Sequence, residues 1–231
     1  MLDSTSIYTE KRAVSEQDIF TNLEKLIGTV NNKLFITTFA SNLYRLTSII
    51  KIAERFKKKV LIKSPAMIRF LDLGVNHGLI DESTLQKTLI GKSKKIPNNA
   101  IILVSGSQGE PRSSLNNLLF GSDSSVSINK GDVFCFSSKI IPGNERSVYK
   151  IYDEIIRREC IILNDRDGFH SSGHADQSDL SKIYKSYNPT HAIPIHGSVL
   201  FLQKHKEFIN KKFSKIQTLN ILNYDKIILK N

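Results

Sequence analysis

The sequence predicts an α/β fold in which a largely parallel sheet is covered by helices on both faces. Short, continuous apolar runs, typical of buried strands, alternate along the 231 residues with stretches whose apolar residues recur at helical spacing. Polar, glycine-containing segments follow several of these runs, where parallel sheets usually place their functional groups. An apolar content of 40% and a charged content of 24% are ordinary for a globular protein.

The predicted elements alternate in the order expected for strand–helix–strand units. The predicted strands are Leu34–Phe39, Val60–Ile62, Ile101–Val104, Val133–Phe136, Ile161–Leu163 and His191–Ile195. The predicted helices have their apolar faces within Ile19–Ile27, Leu43–Ala53, Val148–Ile156, Leu180–Tyr187 and Val199–Phe213. Because parallel strands need crossover connections, this alternation predicts parallel pairing.

The net charge of +11 favours an anionic partner, and a long polyanion such as RNA would gain most from it. The same charge also agrees with solvated helix ends, as in Lys57–Lys59 and Lys211–Lys212. No run reaches the roughly 18 apolar residues of a membrane span, and the first residues do not read as a secretory signal. We therefore expect a cytoplasmic protein without a membrane partner.

A glycine-containing loop, Ser105–Pro111, follows one predicted strand and precedes a predicted helix that has proline near its start. Glycines permit a tight turn there, and free N–H groups at a helix start suit an anion. The spacing is neither that of a dinucleotide fingerprint nor that of a P-loop. Phosphate binding and a plain connecting turn both remain open for this loop.

The histidines cluster late in the chain, at His170, His174, His191 and His196. Imidazole suits both metal ligation and proton transfer near neutral pH. Two plainer interpretations remain open: the first pair can be surface loop residues before a helix capped by Asp176, and His196 can be a hydrogen-bonded residue at a strand end. By themselves the residues predict a polar, histidine-rich site at strand ends, without a closed metal site.

Taken together, these segments resemble ribonuclease J, a bacterial family in the β-CASP branch of the metallo-β-lactamase fold. The resemblance spans nearly the whole chain, and its motifs occur in the family's order. They are Asp3–Thr5 (DSTN in the family), Thr38–Asn42 (TFASN), Ser105–Pro111 ((T/S)GSQGEP), Phe136–Ser138 with Ile141–Glu145 (FSSSxIPGNE), His170–Ala175 (HxSGHA) and Pro194–Gly197 (PVHG). The resemblance implies a β-CASP domain over residues 14–167. It also implies a partial metallo-β-lactamase (αββα) domain, made of residues 1–13 and the returning segment 168–231.

The resemblance implies hydrolysis of RNA phosphodiester bonds, exonucleolytic or internal, at a site for two Zn²⁺ or Mn²⁺ ions. Asp3 would be the carboxylate that bridges the ions, and His196 a terminal ligand. His174 would be the catalytic general acid, with Glu16 orienting it.

The resemblance also implies a set of substrate-binding residues. His170 and Ser172 would contact the scissile phosphate. The residues that would hold nucleotides in the β-CASP channel are Ser41, Asn42, Gly106, Ser107, Gln108, Gly109, Ser137 and Ser138. The sequence departs from the family pattern at Ser198, Tyr44 and Arg112, where a glutamate, a histidine and a small apolar residue or methionine are usual.

The family's main metal-binding element, HxHxDH, lies upstream of the aspartate that Asp3 matches. With Asp3 and His196 as the remaining ligands, we expect the chain to be inactive alone and to need a separate N-terminal half. A non-catalytic RNA-binding β-CASP module, or a decayed gene product, is the alternative. RNA is the expected partner, and the resemblance allows a homodimer or tetramer.

Overall fold

The computed structural model describes residues 1–10, 14–90, 95–121, 123–219, 221 and 224–228. The chain divides into two compact units. The central unit comprises Val14–Ser171, and the terminal unit comprises Met1–Ala13 together with Ser172–Asn231. Among the described residues, none of the helices has the length and apolar character needed to span a bilayer.

The elements are numbered along the chain. In the central unit they are α1 (Glu16–Thr29), β2 (Leu34–Thr37), α2 (Leu43–Arg55), β3 (Val60–Ile62), α3 (Pro65–Asn76), α4 (Glu82–Thr88), β4 (Ile101–Val104), α5 (Ser114–Phe120), β5 (Val133–Phe136), α6 (Glu145–Arg157) and β6 (Ile161–Leu163), followed by a 3₁₀ turn (Asp165–Asp167). In the terminal unit they are β1 (Leu2–Asp3), α7 (Gln177–Tyr187), β7 (His191–Ala192), β8 (Pro194–Ile195), α8 (Val199–Lys212) and β9 (Gln217–Thr218).

The central unit is built on a parallel sheet with the strand order β3-β4-β2-β5-β6. Ile36 in the middle strand lies opposite Leu103 of β4 and Cys135 of β5. Since successive side chains point to opposite faces of a strand, each apolar strand contributes to two cores. The α/β class and the parallel pairing predicted from the sequence are confirmed.

Helices cover both faces of this sheet. One core packs Ile36, Leu103 and Cys135 against buried residues of α1, α2 and α3. The other packs alternate strand residues, such as Phe35 and Phe134, against α5 and α6. The two phenylalanine rings stack with their centroids 4.4 Å apart. The three middle strands, β4, β2 and β5, are therefore buried on both sides, which explains why they are continuously apolar.

Local signals set several helix starts in the central unit. Ser15 begins α1 with a capping box, because its side chain accepts from the Asp18 N–H and Asp18 accepts in return from the Ser15 backbone. Asn42 caps α2, and Ser113 caps α5. Pro111 lies three residues before α5, outside the helix itself, because the chain makes a turn before the Ser113 cap.

The terminal unit contains two short parallel pairs, β1 with β8 and β7 with β9. Its core residues are Ile7, Leu180, Tyr184, Ala192, Phe208, Ile209 and Ile216. The prediction of one strand over His191–Ile195 is wrong, because β7 and β8 pair with different partners. Ile193 between them accepts a hydrogen bond from the Leu2 N–H through its carbonyl oxygen.

Candidate functional site

Three side chains that can bind a metal converge in the terminal unit. Asp3 ends β1, His196 directly follows β8, and His174 lies in the loop before α7. The Oδ2 atom of Asp3 lies 2.6 Å from Nδ1 of His174 and 3.2 Å from Nδ1 of His196. Because β1 and β8 are parallel neighbours, their carboxyl ends place Asp3 and His196 at one edge.

The carboxylate of Asp3 is held in its charged form. Burial by itself raises the pKa of Asp3, but hydrogen bonds from Thr5, His174 and His196 outweigh burial and lower the pKa well below its usual value. The Thr5 N–H donates to Oδ1 at 2.6 Å, which leaves Oδ2 to face the histidines. A carboxylate in this state is ready to bind a cation at any physiological pH.

His196 adopts a backbone conformation that favours glycine, with φ of 56°. A non-glycine residue pays about 1 kcal/mol or more for this left-handed conformation, and such strain collects at functional sites. The Thr5 hydroxyl donates to the His196 carbonyl at 3.1 Å and lies 3.3 Å from its Nδ1. His196 is thus hydrogen-bonded, as its plainer interpretation requires, but its partners are Thr5 and the candidate ligand Asp3.

The two residues expected at the scissile phosphate fall in different units. Ser172 of the terminal unit accepts the His174 N–H through its Oγ at 3.1 Å, so its hydroxyl shapes the turn that presents His174. Asp176 caps α7 with its carboxylate, as the plainer interpretation of this loop expects. His170 belongs to the central unit, where burial and the nearby Arg45 charge lower its pKa. Contact of His170 and Ser172 with phosphate stays a prediction.

The donor set fits a transition metal. Atoms of Asp3, His174 and His196 all lie within 4.8 Å of one another, and they supply one carboxylate oxygen and two imidazole nitrogens. Two histidines with one carboxylate are a ligand set that zinc hydrolases use, with a fourth position left for water or substrate. Ligand atoms in a tetrahedral zinc site are about 3.3 Å apart, which the 3.2 Å between Asp3 and His196 already matches. The 2.6 Å between Asp3 and His174 is a hydrogen bond.

In the central unit, the other predicted substrate residues lie where three neighbouring strands end. Ser41 and Asn42 follow β2, the Gly106–Gly109 loop follows β4, and Ser137 and Ser138 follow β5. Because β4, β2 and β5 are parallel neighbours, these segments share one edge of the sheet. The exposed side chain among them is that of Ser41, whereas Ser107, Gln108, Ser137 and Ser138 are buried.

Gln108 ties two of these strand-end loops together. Its Nε2 donates to the Lys139 carbonyl at 2.9 Å, and its Oε1 accepts the Ile141 N–H at 2.8 Å. Gly106 and Gly109 have φ values of 120° and 76°, which let the loop turn closely beneath the start of α5 and α6. The structure thus assigns these residues to the shape of the loop, and nucleotide binding stays a prediction for them.

Ser138 has a different environment from its neighbour Ser137. The Ser137 hydroxyl donates to the Phe169 carbonyl at 2.7 Å. The Oγ of Ser138 is buried and makes no hydrogen bond within the described part of the chain. A buried hydroxyl usually finds a partner, so Ser138, like Thr37 at the end of β2, has hydrogen-bonding capacity left to offer.

Glu16 is paired with a buried arginine that sequence reasoning missed. Arg45 of α2 donates to both carboxylate oxygens of Glu16, each at 2.8 Å, and to the Phe169 carbonyl at 3.1 Å. It also contacts the Ser137 hydroxyl. The arginine therefore joins α1, the end of β5 and the segment that leads into His170. The predicted role of Glu16 toward His174 concerns two different units and stays a prediction.

Comparison with known proteins decides the family. Residues 31–155, more than half of the chain, match the family model described as "Ribonuclease J, beta-CASP domain". The chain belongs to the ribonuclease J family. Residues 166–220 match a second model, described as "Zn-dependent metallo-hydrolase RNA specificity domain". The ribonuclease J resemblance drawn from the motifs is confirmed.

Curated ribonucleases J from several bacteria align with most of this chain. The Sinorhizobium meliloti protein is 31% identical over 208 residues, which cover 89% of this chain and 36% of the relative. The Thermus thermophilus protein is 32% identical over 199 residues, covering 85% of this chain and 35% of the relative. This member of the ribonuclease J family thus spans about a third of the length of these relatives.

Arg45 and His205 are the functional candidates that sequence reasoning missed in this ribonuclease J relative. Both are polar residues on the apolar stripe of a helix: Arg45 precedes Ile49 by four positions, and His205 precedes Ile209 by four. A polar side chain at such a position must be buried with partners, because its neighbours are buried at the same spacing. That spacing is the signal that could have found them.

Proposed function

We propose that this chain supplies the β-CASP and RNA-specificity parts of a metal-dependent hydrolase that cleaves RNA phosphodiester bonds. The observation that carries the proposal is the meeting of Asp3 Oδ2 with Nδ1 of both His174 and His196. These residues come from three separate segments that the fold brings to one point. The family match gives the chemistry in which such a cluster is used.

Asp3 and His196 would hold a Zn²⁺ or Mn²⁺ ion, and His174, the third member of the group, would serve proton transfer beside it. A bound ion of this kind polarises a phosphoryl oxygen and provides hydroxide at neutral pH. A second ion would need ligands besides these, because the described residues offer this one group. Asp3 remains charged through its hydrogen bonds from Thr5, which keeps the carboxylate available to a cation.

His174 can move a proton at the leaving oxygen. Its Nδ1 is bonded to the Asp3 carboxylate, and this pairing fixes the ring and favours a proton on Nδ1. When the ring is protonated, Nε2 carries the proton that a leaving ribose oxygen needs. The His174 side chain is 42% exposed, so a phosphodiester can approach Nε2. In the terminal unit, Asp3 therefore provides a carboxylate partner of the kind that the family resemblance assigns to Glu16.

Binding of zinc tests the metal part of this proposal. In competition with a chromophoric chelator, we expect the Zn²⁺ affinity to fall at least 100-fold in Asp3→Asn and in His196→Gln. His191→Gln is the matched control, because His191 is an exposed histidine of the same unit that bonds to Thr190 rather than to the cluster. Equal affinity in Asp3→Asn and the unchanged chain would contradict the proposed site.

Binding of RNA without cleavage is the second candidate function, and the net charge of +11 favours it. Both candidates predict binding of a single-stranded oligoribonucleotide that weakens steeply between 50 and about 200 mM salt. They differ over zinc. Zn²⁺ bound through Asp3 and His196, with an affinity that falls in Asp3→Asn and His196→Gln, supports the hydrolase. RNA binding that is indifferent to Asp3→Asn, with no specific Zn²⁺ site, supports the binding module.

A further inference from the structure

A buried polar chain crosses the core of the terminal unit beneath the candidate metal site. His205 of α8 is fully buried, with Nδ1 2.9 Å from the Ser4 hydroxyl and Nε2 3.0 Å from the Tyr184 hydroxyl. Ser4 is also fully buried, and Tyr184 of α7 is 2% exposed. Both ring nitrogens therefore have partners, and each partner comes from a different element. These hydrogen-bonded side chains do not themselves include the candidate metal ligands.

Packing alone does not explain a histidine at this position. The core of this unit is otherwise largely apolar and includes Leu180, Phe208 and Ile209. An apolar side chain could fill the space, but it would leave the buried hydroxyls of Ser4 and Tyr184 without this partner. Burial lowers the pKa of His205 to about 4, against the opposing effect of the Asp3 charge, so the ring is neutral at pH 7. A neutral imidazole has one donor and one acceptor nitrogen. The three groups can thus form a single directional hydrogen-bonded chain.

Ser4 connects this chain to the site. Its N–H donates to the Ile195 carbonyl at 2.9 Å, which joins the end of β1 to the end of β8. Its neighbours in sequence are Asp3 and Thr5, and Thr5 donates its N–H to the Asp3 carboxylate and its hydroxyl to the His196 carbonyl. The position of Ser4 therefore sets the direction of Asp3 and supports the left-handed backbone of His196.

We propose that His205, fixed by Tyr184, is a positioning residue that anchors Ser4 and thereby holds Asp3 and His196 in the arrangement that receives the metal ion. This inference rests on the proposed function for its metal. It adds a residue that lies outside the sequence motifs of the family resemblance. A purely structural histidine would affect the stability of the unit without affecting the direction of the Asp3 carboxylate.

The experiment removes single hydrogen-bonding atoms. Tyr184→Phe deletes one hydroxyl, Ser4→Ala deletes the other, and His205→Gln keeps polar atoms at the ring position. Ile209→Val is the matched control, because it removes one buried methylene from the same core without a hydrogen bond. Two quantities are measured on the full chain: Zn²⁺ affinity by chelator competition, and hydrogen exchange of the Ser4 and Thr5 amides by NMR without metal.

We expect Zn²⁺ to bind about tenfold more weakly in Tyr184→Phe and Ser4→Ala, the usual effect of losing an outer-shell partner. The Ser4 and Thr5 amides should exchange at least tenfold faster in these two variants. His205→Gln should show the same weakening of Zn²⁺ binding and the same faster exchange, but to a smaller extent. Ile209→Val should change neither quantity beyond its effect on global unfolding. Amide exchange in Tyr184→Phe and Ser4→Ala equal to that in Ile209→Val would overturn the inference. Absence of Zn²⁺ binding in the unchanged chain would count against the proposed function instead, and the amide comparison would still decide the role of His205.

Discussion

Removing either partner of the Glu16–Arg45 pair should have unequal effects on stability. The Arg45 side chain is 2% exposed, whereas the Glu16 side chain is 43% exposed. Glu16→Ala leaves a guanidinium charge in the protein interior with neutral partners, the Ser137 hydroxyl and the Phe169 carbonyl. Arg45→Met leaves a carboxylate that water already reaches. The glutamate should therefore be the costlier residue to remove, although it is the more exposed one.

The sizes follow from what each variant leaves behind. A buried charge deprived of its partner costs about 3–5 kcal/mol, and we expect about 3 kcal/mol for Glu16→Ala because the site opens to solvent at that residue. Arg45→Met loses a half-exposed ion pair, the bond to the Ser137 hydroxyl and one bond to Phe169, whose carbonyl still accepts from Ser137 at 2.7 Å. We expect about 1.5 kcal/mol for this loss. The double variant, Glu16→Ala with Arg45→Met, should lose about as much stability as Arg45→Met alone, because no buried charge is left unpaired when both side chains are removed.

The assay must report on the central unit alone, and the chain has no tryptophan. Cys135 on β5 is fully buried in that unit, and burial raises the pKa of its thiol well above the usual value. Its native thiol is therefore unreactive for two reasons. Pulse labelling of Cys135 across a urea series, in a Cys160→Ser background, gives the free energy of unfolding of the central unit.

A second ion pair between α1 and α2 serves as the control. Arg55 contacts Glu24, and their side chains are 62% and 30% exposed. An exposed pair contributes less than about 1 kcal/mol, so Arg55→Met should change the free energy of unfolding little. The reasoning is refuted if Arg45→Met costs as much as Glu16→Ala, because the unpaired buried charge would then not be the main term.

Three further predictions use the same kind of matched comparison. Burial lowers the pKa of His205 to about 4, while the ring in the unfolded chain titrates near 6.5. The neutral buried ring therefore contributes about 3 kcal/mol to the free energy of unfolding above pH 6.5, and this contribution is lost as the pH falls toward 4. Urea unfolding of His205→Gln should lack this pH-dependent component. His196→Gly should be about 1 kcal/mol more stable than His196→Ala by thermal unfolding, because φ is 56° there and neither variant keeps the ring. Gly109→Ala should cost more than about 2 kcal/mol in the Cys135 assay, since its Cβ would lie 2.6 Å from that of Ser147, whereas Gly143→Ala, with φ of 98° and no atom within 4 Å, should cost about 1 kcal/mol.

The central sheet was predictable because its three middle strands are buried on both faces. Such strands are continuously apolar, as in Ile101–Val104 and Val133–Phe136, and no tertiary information is needed to find them. Helix α3 was missed because its apolar residues do not keep to one side: Ile68 and Leu73 are 44% and 47% exposed. Its start signal, the Ser64 cap followed by Pro65, was present in the sequence.

The terminal unit was harder to predict because its strands are two residues long. The apolar run His191–Ile195 contains both β7 and β8, and their partners, β9 and β1, lie at opposite ends of the chain. Asp3 and His174 are 171 positions apart, so their 2.6 Å contact follows from tertiary pairing and not from spacing. The family resemblance named both residues, but the structure supplied the fact that one carboxylate oxygen meets two histidines.

The two polar side chains that the sequence reasoning missed have the same physical position in their respective units. Arg45 lies on the buried face of α2 and bonds to the carbonyl just before His170, and His205 lies on the buried face of α8 and bonds to the hydroxyl just after Asp3. In each case a helix interior is joined to a loop that carries a candidate functional residue. Burying such groups costs stability unless every atom is paired, and here the pairing partners are the loops themselves. A substitution that frees either loop should therefore alter stability and site geometry together, whereas an apolar substitution in the same core should alter stability alone.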